Sequence, residues 1–279
     1  MEIWQAIVLG AVQGLAEFLP VSSSGHFILM QRWLGVNENA GGLFFDVMLH
    51  IGTLFPVFIV FYKELLALFK PTVKTLPDGS EKKSFLFSEK AWFLVLATIP
   101  AGLTGVLLGD LIDKFFYSGD LLSAILLSIT FLLTAGELFA SEIISRKRNK
   151  DLPLSYKNTF FMGLMQAVAI APGLSRSGTV ISAGCFAGVK REENASFAFL
   201  MSIPIILGAA LVSGLKVIKD GAVIYPMPLI FGVLTSAITG YIAVKLMLKV
   251  IKKANYKWFS LYLLAMAIAS VVTKLSFGV

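Results

Sequence analysis

The chain has 279 residues, 57% of them hydrophobic and 15% charged, with a mean hydropathy of +0.81. This composition excludes an ordinary soluble domain and predicts one integral membrane domain spanning 1–279. The net charge of +7 lies between the apolar runs, where it reads as an orientation signal and a contact for anionic lipid, not as a nucleic-acid surface.

In chain order, residues 1–30 could cross a bilayer but are interrupted by Gln13-Gly14-Leu15-Ala16-Glu17-Phe18-Leu19-Pro20-Val21-Ser22-Ser23-Ser24-Gly25-His26. No basic stretch followed by a small-residue cleavage site precedes it, so no removable signal peptide is expected. Ionisable groups at membrane depth are expensive and mark function by default. Gln13 and Glu17 are four apart and share a helix face. A carboxylate there can hold a hard divalent cation or orient an imidazole, or else cap a helix or reach the interface. Pro20 to His26 reads as a helix end, a turn and a new helix start. A serine N-cap followed by backbone N–H groups makes an anion site, although the serines could serve as caps alone. His26 needs a partner at this depth and can act as acid, base or nucleophile.

The run 43–62 follows, with Asp46 and His50 four apart near its outer end. They read as support behind a site, a proton path, or a pair that satisfies itself. Runs 91–109 and 121–140 are of spanning length, and Glu137 is expected to reach the interface. Loops 63–90 and 141–158 carry turn and charge signals, including Pro77-Asp78-Gly79-Ser80 and Arg146-Lys147-Arg148-Asn149-Lys150, with no sign of a soluble domain.

The second interrupted segment, 159–188, contains Pro172-Gly173-Leu174-Ser175-Arg176-Ser177-Gly178-Thr179. Arg176 stands alone among the arginines in lying inside an apolar segment. Its planar fork suits phosphate oxygens, or a structural pair with Glu17. Gly173 helps turn the chain, Gly178 permits close backbone approach, and Ser175, Ser177 and Thr179 can donate to oxygens. The single cysteine, Cys185, reads as inert packing. Runs 196–214, 228–249 and 258–275 complete the chain.

Positive charge selects the topology. With both interrupted segments turning back, the loops divide seventeen lysines and arginines on one side from five on the other; with all eight segments crossing, the split is fourteen to eight. The first arrangement fits the positive-inside rule and brings the two hairpin tips together inside the bilayer. A shift of 153 overlays Gln13 on Gln166, Ser22 on Ser175, Ser24 on Ser177, Gly25 on Gly178, Phe44 on Phe197 and Met48 on Met201. The expected fold is therefore all-α: six transmembrane helices plus two re-entrant helical hairpins. The halves, about 1–140 and 159–275, form an inverted-topology repeat with a site at their interface.

Gln13-x-x-x-Glu17, the Pro-Val-Ser-Ser-x-Gly-His run, Pro-Gly-x-Ser-Arg-Ser-Gly-x-Thr and Phe45 to Thr53 resemble the undecaprenyl-diphosphatase family, the bacitracin-resistance type of membrane phosphatase, over essentially the whole length. The resemblance implies hydrolysis of undecaprenyl diphosphate to the monophosphate, recycling the lipid carrier of cell-wall assembly. It further implies a plasma-membrane location, an outward-facing site and help from a divalent cation, Mg2+ or Ca2+. By position it puts the catalytic residues at Glu17, Ser23, His26 and Arg176. From the cap, turn and donor readings above, Ser22, Ser24, Gly25, Gly173, Ser175, Ser177, Gly178 and Thr179 are the expected substrate-binding residues, and Glu17 with Gln13 the expected metal ligands. Some members carry a second glutamate where this chain has Gln13, and many a polar residue where it has Ala198. Ser23 or His26 is expected to attack the terminal phosphorus, with Ser23 as attacker and His26 as base the preferred division. The partners expected are the polyprenyl diphosphate and the bilayer, with a homodimer left open. The reading from another class is a transporter or flippase of a phosphorylated lipid or anion.

Overall fold

The computed structural model describes residues 1–36, 42–75, 80–83, 86–148, 151–220, 225–253 and 255–278. Helix α1 (Ile3–Phe18) starts on a reciprocal Glu2–Gln5 capping pair. It stops because Leu19, preceding Pro20, is extended, as the proline ring requires. Ser22 then caps α2 (Ser23–Trp33) by accepting from the Gly25 N–H. Helix α3 (Gly42–Val60) bends by 85° into α4 (Tyr62–Leu68). The loop beyond carries a short antiparallel ribbon of β1 (Val73–Thr75) and β2 (Glu81–Lys83). Helices α5 (Glu89–Phe116) and α6 (Leu121–Lys147) follow, capped by Ser88 and Asp120.

The second interrupted segment forms α7 (Tyr156–Val168) and α8 (Arg176–Phe186). After these come α9 (Arg191–Leu200), α10 (Ser202–Asp220), α11 (Pro226–Lys253) and α12 (Lys257–Phe277). Four of the six apolar runs lie within single helices, whereas 43–62 is bent at Phe61 and 196–214 is divided at Met201 between α9 and α10. Among the described residues five helices are long and apolar enough to span a bilayer, or six with the bent α3–α4 pair, and the protein is a multi-pass membrane protein. The charge signals at Pro77, Asp78, Gly79, Asn149 and Lys150 lie outside the described residues.

Packing is dictated by small residues. Helix α1 lies along α11, and a Cβ added at Gly10 would meet the Gly232 carbonyl oxygen at 2.3 Å. One added at Gly14 would meet Thr239 Oγ1 at 2.1 Å. The glycines, one helical turn apart, let two backbones touch where lipid supplies no hydrophobic drive for association. The contact fixes the height and rotation of α1, and so of Gln13 and Glu17 on its buried side. The core continues through Phe18, Phe131, Phe197 and Phe199, with Phe18 and Phe199 edge to face at 5.7 Å. Helix α12 packs on α6, and α7 on α5.

Candidate active site

The two interrupted segments meet at their turns. Ser22 Oγ donates to the Leu174 carbonyl at 3.5 Å, and Ser177 Oγ donates to the Leu19 carbonyl at 3.2 Å. Both second helices are capped alike, since Ser175 accepts from the Gly178 N–H as Ser22 does from that of Gly25. First-turn N–H groups have no intrahelical acceptor and carry the positive end of the helix dipole. The first residues of these helices are Ser23 and Arg176, and both reach Glu17.

Glu17, 5% exposed, is the hub. Its Oε1 pairs with Arg176. Its Oε2 accepts from Ser23 Oγ at 2.7 Å and Gln13 Nε2 at 2.9 Å, and lies 3.4 Å from His50 Nε2. His50 Nδ1 in turn faces Asp46, at 2.9 Å from its carbonyl and 3.2 Å from Oδ1. Asp46 and His50 are thus not self-contained; they continue the line Ser23–Glu17–His50–Asp46. A carboxylate so deep is tolerable because a guanidinium and three further polar groups compensate its charge.

Glu17, Ser23, His50 and Arg176 border a cavity of about 200 Å³. Glu17, Ser23, Ser24, His50, Gln166, Ser175, Arg176 and Ser177 form its polar wall, and Ala101, Ile170, Ile205, Ile206 and Ala209 its apolar one. Arg176 Nη1, Gln166 Oε1 and Gln13 Oε1 are buried without a protein hydrogen-bond partner. Buried polar groups are ordinarily satisfied, so the two orphans on the cavity wall, Arg176 Nη1 and Gln166 Oε1, mark a place for a polar ligand.

Several expected site residues lie elsewhere. His26 does not border the cavity: Nδ1 is 2.7 Å from the Ser22 carbonyl and Nε2 is 2.6 Å from the Tyr262 hydroxyl, with Phe131 edge-on. The imidazole beside Glu17 is that of His50. Ser22 is spent on capping and on Leu174. Gly25 packs against Phe131, and Gly178 against Ser175 and Pro20. Gly173, at φ +87°, makes the turn; a Cβ there would fall 1.9 Å from Thr130 Oγ1. Thr179 donates to Glu137 at 2.7 Å, so Glu137 is turned inward instead of reaching the interface.

The turn before α8 is held by residues without any motif. Thr130 Oγ1 donates to the Pro172 carbonyl at 2.8 Å, Thr134 Oγ1 donates to that of Gly173 at 3.4 Å, and Thr134 Oγ1 accepts from the Ser175 N–H at 3.0 Å. Nothing in the apolar run 121–140 marks these threonines beyond their being polar.

The expected divalent cation finds no ready cage. Among the described residues no three His, Cys, Asp or Glu side chains converge, and both Glu17 oxygens are engaged. Gln13 offers one further oxygen, and Asp46 lies behind His50. Glu17 and the unpartnered Gln13 Oε1 are the oxygens a cation would meet on this side of the site.

Comparison with known proteins agrees with the motifs. The sequence model described as bacitracin resistance protein BacA matches residues 6–269. A Methanosphaera stadtmanae protein named undecaprenyl-diphosphatase is 38% identical, with 98% of each chain covered. Proteins of that name from Carboxydothermus hydrogenoformans and Methanobrevibacter smithii are 36% and 39% identical, covering 98% and 94% of each chain. With such matches running nearly end to end, the chain belongs to the bacitracin resistance protein BacA family.

Proposed function

We propose that the protein is an undecaprenyl-diphosphatase that uses this cavity to remove the terminal phosphate, returning the lipid carrier to cell-wall synthesis. The observation that carries the site assignment is Ser23 Oγ donating to Glu17 Oε2 at 2.7 Å beside Arg176. This pairs a nucleophile with a base and a fixed cation. A flippase needs the cation but has no use for the hydroxyl–carboxylate pair.

Phosphoryl transfer depends chiefly on positioning and charge stabilisation. Arg176 shifts its fork from Glu17 to the terminal phosphate, joined by the N–H groups that open α2 and α8. Glu17 takes the Ser23 proton as Oγ attacks phosphorus. The Oγ–P bond forms, the bond from phosphorus to the bridging oxygen breaks, and the electron pair leaves on undecaprenyl monophosphate. Water then cleaves the phosphoserine: its hydroxyl stays on phosphorus, its proton goes to Oγ, and the proton held by Glu17 leaves to solvent. His50, braced by Asp46, orients Glu17. The base is thus Glu17 instead of the expected His26, and no step runs through a cation.

The apolar wall from α5 and α10 suits the first isoprene units, with the remaining tail among lipid. The charge asymmetry and paired serine caps support two re-entrant hairpins in an inverted repeat and a plasma-membrane site open to the outside. The direct test is phosphate release from undecaprenyl diphosphate by detergent-solubilised protein, where no compartments exist. Release that disappears in Ser23→Ala supports the assignment. A wild type that releases none from any prenyl diphosphate, with Mg2+ or Ca2+ supplied, overturns it.

A further inference from the structure

Ser22 is one of two non-glycine residues with positive φ among those described, at φ 69° and ψ 95°. Such a backbone persists only where its surroundings over-determine it. Ser175, at the corresponding place 153 residues on, has an ordinary φ of −75° and ψ of 109°. The strain is confined to the turn that leads directly into Ser23.

What holds it is His26. The Ser22 carbonyl accepts from the His26 backbone N–H at 3.2 Å and lies 2.7 Å from Nδ1. A carbonyl only accepts, so Nδ1 carries the proton and Nε2 accepts from the Tyr262 hydroxyl at 2.6 Å. Both ring nitrogens of His26 are therefore occupied by protein, away from the cavity that Ser23 borders. The residue matching His26 in the second segment, Thr179, instead bonds Glu137, and no strained residue precedes Arg176.

With Ser23 taken as the attacking group, we propose that His26 and Tyr262 are positioning residues. Tyr262, on α12, anchors the imidazole; the imidazole clamps the Ser22 carbonyl; and the strained Ser22 aims Ser23 Oγ at Glu17. His26 then acts through the backbone and exchanges no proton with phosphate. This gives a function to a lipid-side tyrosine that lies in neither motif.

The test compares His26→Ala, His26→Asn and Tyr262→Phe in the full-length protein. Asparagine can still donate from its amide to the Ser22 carbonyl but cannot serve as acid or base. His26→Ala should lose roughly 100-fold or more in kcat, and His26→Asn should recover at least about tenfold of that. Tyr262→Phe should lose about tenfold in kcat with KM unchanged, the cost of one anchoring hydrogen bond. A second measurement needs no turnover: in Cys185→Ser, Ser23→Cys protein, methyl methanethiosulfonate reports the exposure of position 23. Its rate should change by about threefold or more on adding His26→Ala or Tyr262→Phe, and return toward the parent with His26→Asn. His26→Asn as inactive as His26→Ala, or Tyr262→Phe silent in both kcat and labelling rate, overturns the proposal. Should wild type release no phosphate, the phosphatase reading falls while the labelling rates still judge the positioning.

Discussion

Ser23 and Arg176 occupy the same place on two different helices. Each is the first residue of a serine-capped helix, they stand 153 positions apart, and both side chains end on Glu17. The hydroxyl and the guanidinium are thereby delivered to one carboxylate by two copies of a single local device. Where Glu17 Oε1 meets Arg176, a phosphate oxygen can take the carboxylate's place.

Arg176→Lys should lower phosphate release by about 100-fold or more, the scale for losing a donor that stabilises developing charge. The ammonium keeps the charge but cannot reproduce the planar fork. Near-wild-type release from purified Arg176→Lys would remove the clamp from the mechanism.

Glu17→Gln keeps the shape and an oxygen for Ser23 but takes away the base. kcat should fall by about 10² to 10⁴. Binding of a non-hydrolysable prenyl diphosphate analogue should hold or tighten, because Arg176 is no longer tied to a carboxylate. Equal losses in kcat and analogue affinity would argue for a binding role instead.

His50→Ala should reduce kcat by about tenfold, with a smaller loss for Asp46→Asn, since one interaction orienting Glu17 is removed or weakened. Steady-state kinetics on both variants checks this. A His50→Ala enzyme with unchanged kcat would make the Glu17–His50–Asp46 line a bystander.

Gly173→Ala should destabilise the protein by about 1 kcal/mol or more from backbone strain alone, before any clash with Thr130. The expected outcome is a lower Tm in detergent together with lower activity. A Tm equal to wild type would mean that the turn before α8 relaxes easily.

The orientation is checked in a Cys185→Ser background. A cysteine replacing Ser118, between α5 and α6, should react with an impermeant thiol reagent in intact cells. One replacing Ser80, in the loop that carries the ribbon, should react only after lysis. The reverse pattern would turn the molecule over in the membrane.

Much of this was legible in the sequence because its signals are local. Twenty apolar residues declare a span wherever they occur, and Leu19-Pro20 and Pro172-Gly173 declare the breaks. The Glu17–Arg176 pair was legible too, because a buried arginine needs a carboxylate. His26 was not. Standing three residues after Ser23 it should share that helix face, but its ring folds back onto the Ser22 carbonyl and toward Tyr262, 236 positions away. The place of His50 beside Glu17 depends on how α3 packs against α1, which no spacing within either helix reveals. The threonines of α6 escaped notice because a hydroxyl in a span commonly bonds its own helix, as Thr130 also does with Leu126 and Leu127.

The seam between α1 and α11 bears on how the chain is made. Every residue of the polar cluster has been synthesised by position 177, yet the glycine face of α1 has no seat until Gly232, Ser236 and Thr239 follow. A nascent chain shorter than α11 holds Glu17 on a helix that still lacks its most extensive packing partner. The C-terminal spans are thus the last step of assembling a site to which they lend no charged group, and a late truncation should silence the protein although it leaves every residue of the polar cluster in place.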